Sequence, residues 1–202
     1  MPPIRHLFFD LGGVILTNGW DRHCRAATAE RFGLTVDTLQ ARHYSLAGDF
    51  ETGRLRLDEY LDRVVFYKPR DFSRADFKVA MQASSEVLGN SLELLDRLKA
   101  GGHCRMYTLN NESLDLNLYR IEEFGLRNYF HHFFSSCFLG AKKPDEIIFE
   151  KVKWITQFNP AECLFIDDRK GNVEAAQRCG FQVVHLKEHD GLEDHLKEFD
   201  LL

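Results

Sequence analysis

Short apolar runs alternate with amphipathic segments along most of the chain. Five runs rich in Phe, Val, Ile and Leu predict β-strands that are buried on both faces, at residues 5–9, 104–109, 132–137, 164–167 and 182–186. Apolar positions at helical spacing predict helices between the later strands, at residues 91–102, 113–125, 144–158 and 171–180. In the first of these helices Ser91 is the expected N-cap and Gly101 the expected stop. Alternating strands and helices predict an α/β fold with a Rossmann-like, doubly wound parallel sheet.

The segment between the first and second strands departs from this alternation. Helical patterns occupy residues 20–34, 57–67 and 74–89, and the segment contains no convincing strand pattern. Polar, glycine-containing stretches such as residues 48–56 predict loops between them. We therefore expect a helical cap inserted after strand 1. The predicted domain bounds are 1–16 and 89–202 for the α/β core, and 17–88 for the cap.

Composition and charge narrow the class of partner. The chain has 202 residues, of which 44% are hydrophobic, and a net charge of −5, which argues against nucleic acid as a partner. The five cysteines lie far apart and form no CxxC pair, which favours reduced core residues over disulfides or zinc ligands. No apolar run is long enough to span a bilayer. These features predict a cytoplasmic protein without a membrane partner, and they do not indicate an oligomeric state.

Polar residues gather where the predicted strands end. In a parallel sheet the carboxyl ends of the strands share one edge, and ligands bind outside that edge. The residues at these ends are Asp10 after the first strand, Asn110, Asn111 and Glu112 after the second, Lys142 and Lys143 after the third, and Asp167, Asp168 and Asn172 after the fourth. Neighbouring carboxylates repel one another and need a cation among them. The set therefore indicates a Mg²⁺ site beside a site for an anionic substrate.

The same residues resemble a known family. The stretches FFDLGGV, YTLNNES, KKPD and FIDDRKGN follow one another in the order and context of the four motifs of the haloacid dehalogenase-like hydrolases, which are mostly phosphatases. The resemblance covers residues 10–172, and the cap matches members of the helical-cap type in position and helical character. The loop DLGGV is similar to the D-L-G-N-V loop of a sugar-phosphatase branch. The resemblance implies a hydrolase that acts on a small phosphorylated metabolite with Mg²⁺ as cofactor.

The resemblance also implies roles for individual residues. Asp10 is the expected nucleophile, which forms an aspartyl-phosphate. Lys143 is the expected phosphate-binding lysine, and Lys142 beside it is expected to be solvated. Asn110 and Asn111 are the expected polar contacts to the phosphate. The expected metal ligands are Asp10, the carbonyl of Gly12, Asp168 and Asp167, the last either as a ligand or as the partner of the lysine.

Gly12 is a departure from the family pattern. Phosphatases of the family usually carry a second aspartate at this position, whose acid–base catalysis contributes about 10²–10⁴-fold. Three interpretations remain open: a phosphatase whose acid is dispensable or is supplied by Asp21, His23 or Glu112; a 2-haloacid dehalogenase in which Asp10 attacks carbon; and a non-catalytic relative that binds a phosphorylated ligand or a protein.

Substrate specificity is expected to lie in the cap. Residues 20–23, WDRH, open the predicted cap and are expected to overhang Asp10. Further polar candidates for substrate contacts are Asp21, His23, Arg42, His43 and Arg54. The substrate itself is not predicted by these residues.

Overall fold

The computed structural model describes residues 2–202 and contains one five-stranded sheet. All neighbouring strands are parallel, and their order is β3-β2-β1-β4-β5. The strands are β1 (His6–Phe9), β2 (Arg105–Thr108), β3 (His132–Phe133), β4 (Cys163–Asp167) and β5 (Gln182–His185). This parallel α/β sheet confirms the predicted fold class.

Residues 2–202 also form ten α-helices. They are α1 (Arg22–Arg31), α2 (Val36–Glu51), α3 (Leu57–Val64), α4 (Arg74–Gln82), α5 (Ser91–Gly101), α6 (Leu114–Glu123), α7 (Ser136–Leu139), α8 (Glu146–Thr156), α9 (Lys170–Arg178) and α10 (Leu192–Glu198). Short 3₁₀ turns lie at Leu126–Asn128, Pro160–Glu162 and His189–Gly191. None of the described helices is long and apolar enough to cross a membrane.

The sheet is buried on both faces. Because successive side chains of a strand point to opposite sides, Leu7 and Phe9 of β1 enter one apolar cluster, and Phe8 enters the other. The first cluster contains α5 and α10, and the second contains α8 and α9. This two-sided burial explains why the strands consist of continuous apolar runs.

Helices α1 to α4 form an apolar cluster of their own. Trp20, Phe50, Tyr60 and Phe77 are buried in it, and Leu116 of α6 joins from the side of the sheet. These helices fall within the predicted cap range of 17–88, which stays a prediction as a domain boundary. The predicted core range 1–16 includes Met1, which lies outside the described residues.

Several predicted elements differ from the structure at their ends. The third strand covers two residues rather than six, because Ser136 already begins α7. Ser91 is the first residue of α5 rather than its N-cap, and its Oγ donates to the carbonyl of Leu88 at 2.6 Å. The helix ends at Gly101, as predicted, and the next residue, Gly102, caps it in the left-handed conformation with φ 66°.

The cap contains a helix that the apolar pattern did not predict. Helix α2 runs through Gly48 to Glu51, where a loop was expected. Its buried positions include the polar side chains of Gln40 and His43, so the apolar periodicity of an amphipathic helix is weak here. This polar face has a counterpart in the site described below.

Candidate active site

The candidate site lies where the winding of the sheet reverses. From β1 the chain builds outward to β2 and β3, and it then returns to add β4 and β5 on the other side of β1. Ligands of such folds bind in the crevice at this switch point. Asp10 follows β1, and Asp167 ends β4, so the two carboxylates flank the crevice.

Lys143 joins these two carboxylates. Its Nζ lies 2.6 Å from Asp167 Oδ2 and 3.2 Å from Asp10 Oδ1, and all three side chains are buried. A buried ammonium next to two carboxylates offsets part of their repulsion. The structure therefore brings Asp10, Lys143 and Asp167 together at one edge of the sheet.

The oxygens of Asp167 are fully used by protein partners. Oδ1 accepts from the backbone N–H of Arg169 at 2.8 Å, and the Asn172 amide donates to both oxygens at 3.0 Å. Oδ2 also accepts a hydrogen bond from Lys143 Nζ at 2.6 Å. Asp167 therefore orients the lysine, which is one of the two roles that the sequence left open for it.

Asp168 has the opposite character. Its Oδ1 is buried and has no hydrogen-bond partner among the described residues. Ligand oxygens of Asp10, Asp167 and Asp168 all lie within 4.8 Å of one another. A buried carboxylate oxygen without a donor, in a cluster of hard oxygen ligands, fits the preference of Mg²⁺.

The close contact between Gly13 and Asp168 keeps this carboxylate cluster compact. Gly13 has φ 79°, and a Cβ at this position would lie 2.5 Å from Asp168 Oδ2. A side chain at residue 13 would therefore push Asp168 away from Asp10. The second glycine of the DLGGV loop has a structural reason in this close approach.

The electrostatics of the cluster favour added positive charge. Burial raises the pKa of Asp10 to about 7, Lys143 opposes that rise, and Asp167 and Asp168 add to it. Burial and the neighbouring Asp167 also raise the pKa of Asp168. Both carboxyl groups are therefore held in a setting where a further cation stabilises their ionised form.

The two asparagines after β2 have different surroundings. The Asn111 amide donates to the carbonyl of Lys143 at 2.8 Å and accepts from its N–H at 2.9 Å, so it clamps the lysine backbone. Asn110 is 1% exposed, and its amide bonds to Asn117 and Ser135 instead. The structure brings Asn111 to the site, whereas Asn110 does not line it.

A cavity of about 480 Å³ opens above the cluster, between the core and the cap. On the core side it is lined by Asp10, Gly12, Asn111, Lys143 and Asn172. On the cap side it is lined by Trp20, Asp21, Arg25, His43, Tyr44 and Glu51. Glu51 also pairs with Lys142 at 2.8 Å, so an ion pair joins α2 to the core at the rim, and Lys142, which was expected to be solvated, is 34% exposed.

A family model described as haloacid dehalogenase-like hydrolase matches residues 4–180. The chain belongs to the haloacid dehalogenase-like hydrolases. It is 28% identical over 171 residues to flavin mononucleotide hydrolase 1 of Arabidopsis thaliana, a chloroplast protein by its name, and the match covers 84% of this chain and 69% of that protein.

Two solved structures are similar in fold to this hydrolase. The HAD family enzyme bt-2542 of Bacteroides thetaiotaomicron has 23% identity and a TM-score of 0.78, with 90% of this chain and 93% of that chain covered. That enzyme also has a structure in complex with magnesium and inorganic phosphate. A HAD-like family hydrolase from Porphyromonas gingivalis has 26% identity and a TM-score of 0.72, with 90% of both chains covered.

The space beside Gly12 in this HAD-like hydrolase is taken by an amide. A Cβ added at Gly12 would lie 2.8 Å from Asn18 Oδ1. The Asn18 side chain thus fills the direction in which a second aspartate would extend. An amide donates and accepts hydrogen bonds but does not release a proton at neutral pH, so Asn18 does not replace the missing acid.

The candidate replacement acids differ in their access to the cavity. Asp21 and Glu112 line the cavity, and His23 does not. Glu112 pairs with the buried Arg120 at 3.3 Å, and burial raises the pKa of its carboxyl. Arg120 also donates to the carbonyl of Thr17 at 2.5 Å, which fixes the segment that enters the cap.

Among the predicted specificity residues of the cap, Asp21 and His43 reach the cavity. Arg42 and Arg54 lie elsewhere on the cap surface. Arg25, Asn18, Glu51 and Arg120 were not predicted to be part of the site. The signal that could have found Glu51 is its helical spacing from His43 and Ala47, which places the three residues on one face of α2.

His43 makes the stability of this hydrolase sensitive to acid. Burial lowers the pKa of His43 to about 3, and the positive charges of Arg25 and Lys142 add to this shift. Above pH 6.5 His43 is neutral in both the folded protein and the unfolded chain, so it adds nothing to the pH dependence of stability. At lower pH the folded protein binds the proton more weakly than the unfolded chain does. Below pH 6.5 His43 therefore destabilises the fold increasingly, down to pH 3.

We expect His43 to cost about 2 kcal/mol of folding stability at pH 5 relative to pH 8. His43→Gln should therefore show a smaller fall in stability over this range than the unsubstituted protein. Urea unfolding at several pH values measures both, and the matched comparison cancels the contributions of other groups. An equal slope in the two proteins would contradict the assignment of His43 as a buried neutral imidazole.

Proposed function

We propose that this protein is a Mg²⁺-dependent phosphatase that hydrolyses a small phosphomonoester through an aspartyl-phosphate on Asp10. The observation that carries the proposal is the position of the Lys143 ammonium between Asp10 and Asp167, beside the unpartnered oxygen of Asp168. This combination fits a nucleophile, a phosphate-binding cation and an open metal ligand in one crevice.

In this proposal Asp10, Asp168 and the carbonyl of Gly12 hold Mg²⁺. Asp167 orients Lys143, since its oxygens are already hydrogen-bonded. When bound, Mg²⁺ neutralises charge on the transferring phosphoryl group. Lys143 binds a phosphate oxygen, and Asn111 holds the backbone of Lys143 in position and offers a further polar contact. Asn110 is left out of this proposal, because its amide bonds to Asn117 and Ser135 and does not line the cavity.

The reaction has two displacements at phosphorus. A free oxygen of Asp10 attacks phosphorus, the bond from phosphorus to the substrate oxygen breaks, and that oxygen takes a proton. Water then attacks the phosphorus of the aspartyl-phosphate, which releases inorganic phosphate and restores the carboxylate. Asp21 and Glu112 are the candidate proton donors at the cavity wall. A leaving group of low pKa, such as the anomeric oxygen of a sugar 1-phosphate, would need them least.

The relatives support a phosphatase as the class of enzyme. One relative is named a flavin mononucleotide hydrolase, and a similar fold has been solved with magnesium and phosphate. The DLGGV loop keeps the sugar-phosphatase branch as our proposal for the substrate class. The cytoplasmic location is likewise kept as a proposal from the sequence.

The test measures phosphate and halide release in parallel. The unsubstituted protein is incubated with sugar phosphates, flavin mononucleotide, an aryl phosphate and 2-haloacids, each with Mg²⁺ and with EDTA. We expect phosphate release that requires Mg²⁺. Halide release in EDTA would replace the proposal with a dehalogenase, and no product in any assay would favour a non-catalytic binding protein.

A further inference from the structure

Arg25 carries a buried positive charge without a carboxylate partner. The residue is 4% exposed and lines the cap side of the cavity. Its Nε donates to Gln40 Oε1 at 2.8 Å, and its Nη1 donates to the carbonyl of Trp20. Nη2 makes no hydrogen bond to any described residue, and it is not sealed from solvent. The unused edge of the guanidinium is therefore accessible from the cavity.

This arrangement is unlike that of the other buried cations. Across residues 2–202 the buried lysine and arginine side chains are Arg25, Arg120 and Lys143. Arg120 has Glu112 as its partner at 3.3 Å, and Lys143 has Asp167 at 2.6 Å. A buried charge is costly unless it is paired. The anion that pairs with Arg25 is therefore expected to come from a ligand in the cavity.

His43 presents a hydrogen-bond donor to the same region. The indole N–H of Trp20 donates to the Tyr60 oxygen at 2.8 Å, and Tyr60 lies 2.9 Å from His43 Nδ1. Tyr60 is fully buried, so its own proton has only Nδ1 as an acceptor. The neutral imidazole therefore carries its proton on Nε2, which has no protein partner among the described residues and faces the cavity.

Three other charged groups that line the cavity, Lys142, Glu51 and Asp21, are already engaged by protein partners. Lys142 is paired with Glu51 at 2.8 Å, and the Asp21 carboxylate caps α1 by accepting from Cys24 N–H at 2.8 Å. The exposed ring of Tyr44 lies 5.5 Å from the Arg25 guanidinium carbon and leaves the hydrogen-bonding edge free. Arg22 also lines the cavity but is exposed, so Arg25 and His43 are the buried donors on this wall that keep a hydrogen-bonding group free.

We propose that Arg25 and His43 bind a second anionic group of the substrate, a carboxylate or a phosphate, at the end away from the scissile phosphate. The proposal rests on the phosphatase function and narrows its substrate class to phosphomonoesters with two anionic ends. Gln40 and the Trp20 carbonyl hold Nε and Nη1 in place, so that the Nη2 amino group donates to the incoming anion. Lys143 and the metal site bind the phosphate to be cleaved.

The kinetic test uses substrate pairs that differ by one anionic group. The carboxylate pair is 6-phosphogluconate and glucose 6-phosphate, and the phosphate pair is fructose 1,6-bisphosphate and fructose 6-phosphate. We expect the protein to favour the member with two anionic groups at least about 10-fold in kcat/KM in one pair, since a charged hydrogen bond contributes about 10- to 100-fold. The pair that shows the preference distinguishes carboxylate from phosphate.

Arg25→Gln should remove this preference through a higher KM for the substrate with two anionic groups, with less than about 3-fold change for its partner. Arg31→Gln, at the exposed end of the same helix, is the matched control and should keep the preference. His43→Gln should lower the preference in part. Equal loss for both members of each pair in Arg25→Gln, or no preference in the unsubstituted protein, would overturn the proposal.

A binding measurement separates this proposal from the phosphatase proposal. Calorimetry with Asp10→Asn and the same four compounds in Mg²⁺ should show a loss of about 10- to 100-fold in affinity for the favoured compound when Arg25→Gln is added. If no phosphate is released from any compound but this selective loss occurs, the anion site stands and the phosphatase proposal fails. If Arg25→Gln does not fold, Arg25→Lys provides the test, because lysine keeps the charge and loses the guanidinium. It should reduce the preference about 3- to 10-fold. An unchanged preference would count against the site.

Discussion

Asp10→Asn is expected to abolish phosphate release while leaving the fold intact or more stable. The amide has the shape of the carboxylate but does not attack phosphorus, so kcat should fall by at least about 10⁴-fold. The effect on stability has the opposite sign, because burial and two neighbouring carboxylates raise the pKa of Asp10 to about 7. A carboxyl group whose pKa is raised by folding makes the folded protein less stable as the pH increases from about 4 to 7. The uncharged amide avoids this loss of stability.

In EDTA at pH 8 we expect Asp10→Asn to be roughly 1–3 kcal/mol more stable than the unsubstituted protein, measured by urea unfolding. Mg²⁺ should reduce or reverse the difference, since it stabilises the protein that binds it more tightly. The matched control is Asp145→Asn, at an exposed position whose carboxylate bonds to no described residue. Retained turnover in Asp10→Asn would reject Asp10 as the nucleophile, and lower stability in EDTA would reject the repulsion assigned to it.

The core of the site could be predicted because the topology of a parallel sheet determines where the strand ends lie. Parallel strands bring their carboxyl ends to one edge, so Asp10, Lys143 and Asp167 could be placed together from the predicted strand ends and the family motifs. The sequence could not separate the roles of Asp167 and Asp168. That distinction depends on which oxygens the Asn172 amide and the Arg169 N–H reach, and these contacts form only in the folded loop.

Other parts of the site could not be predicted, for identifiable reasons. Asn110 and Asn111 are neighbours in the loop after β2, and the sequence does not say which of them lines the cavity. Helix α2 was missed because the face that it turns toward the cavity is polar. Arg25 is one of several arginines in the cap, and what distinguishes it is burial without a carboxylate partner, which is a property of the tertiary structure.

Lys143→Met is expected to impair both stability and activity. The substitution leaves Asp10 and Asp167 buried together without the ammonium that lies 3.2 Å and 2.6 Å from them. Breaking a buried ion pair in this way costs about 3–5 kcal/mol, which urea unfolding in EDTA would measure. Loss of the cation that binds the phosphate should also lower kcat/KM by about 10³-fold. Mg²⁺ should return part of the stability, since Asp10 and Asp168 would hold it and its charge would offset their repulsion.

Lys142→Met is the control that separates burial from charge. This neighbour loses the same charge, but its ion pair with Glu51 is about one-third exposed on both sides. A pair of this kind contributes less than about 1 kcal/mol, so the control should unfold close to the unsubstituted protein. Similar losses of stability in the two variants would mean that the carboxylate cluster does not depend on Lys143. A large gap that Mg²⁺ narrows would show that lysine and metal share the neutralisation of one buried cluster, as a phosphate-transferring site requires.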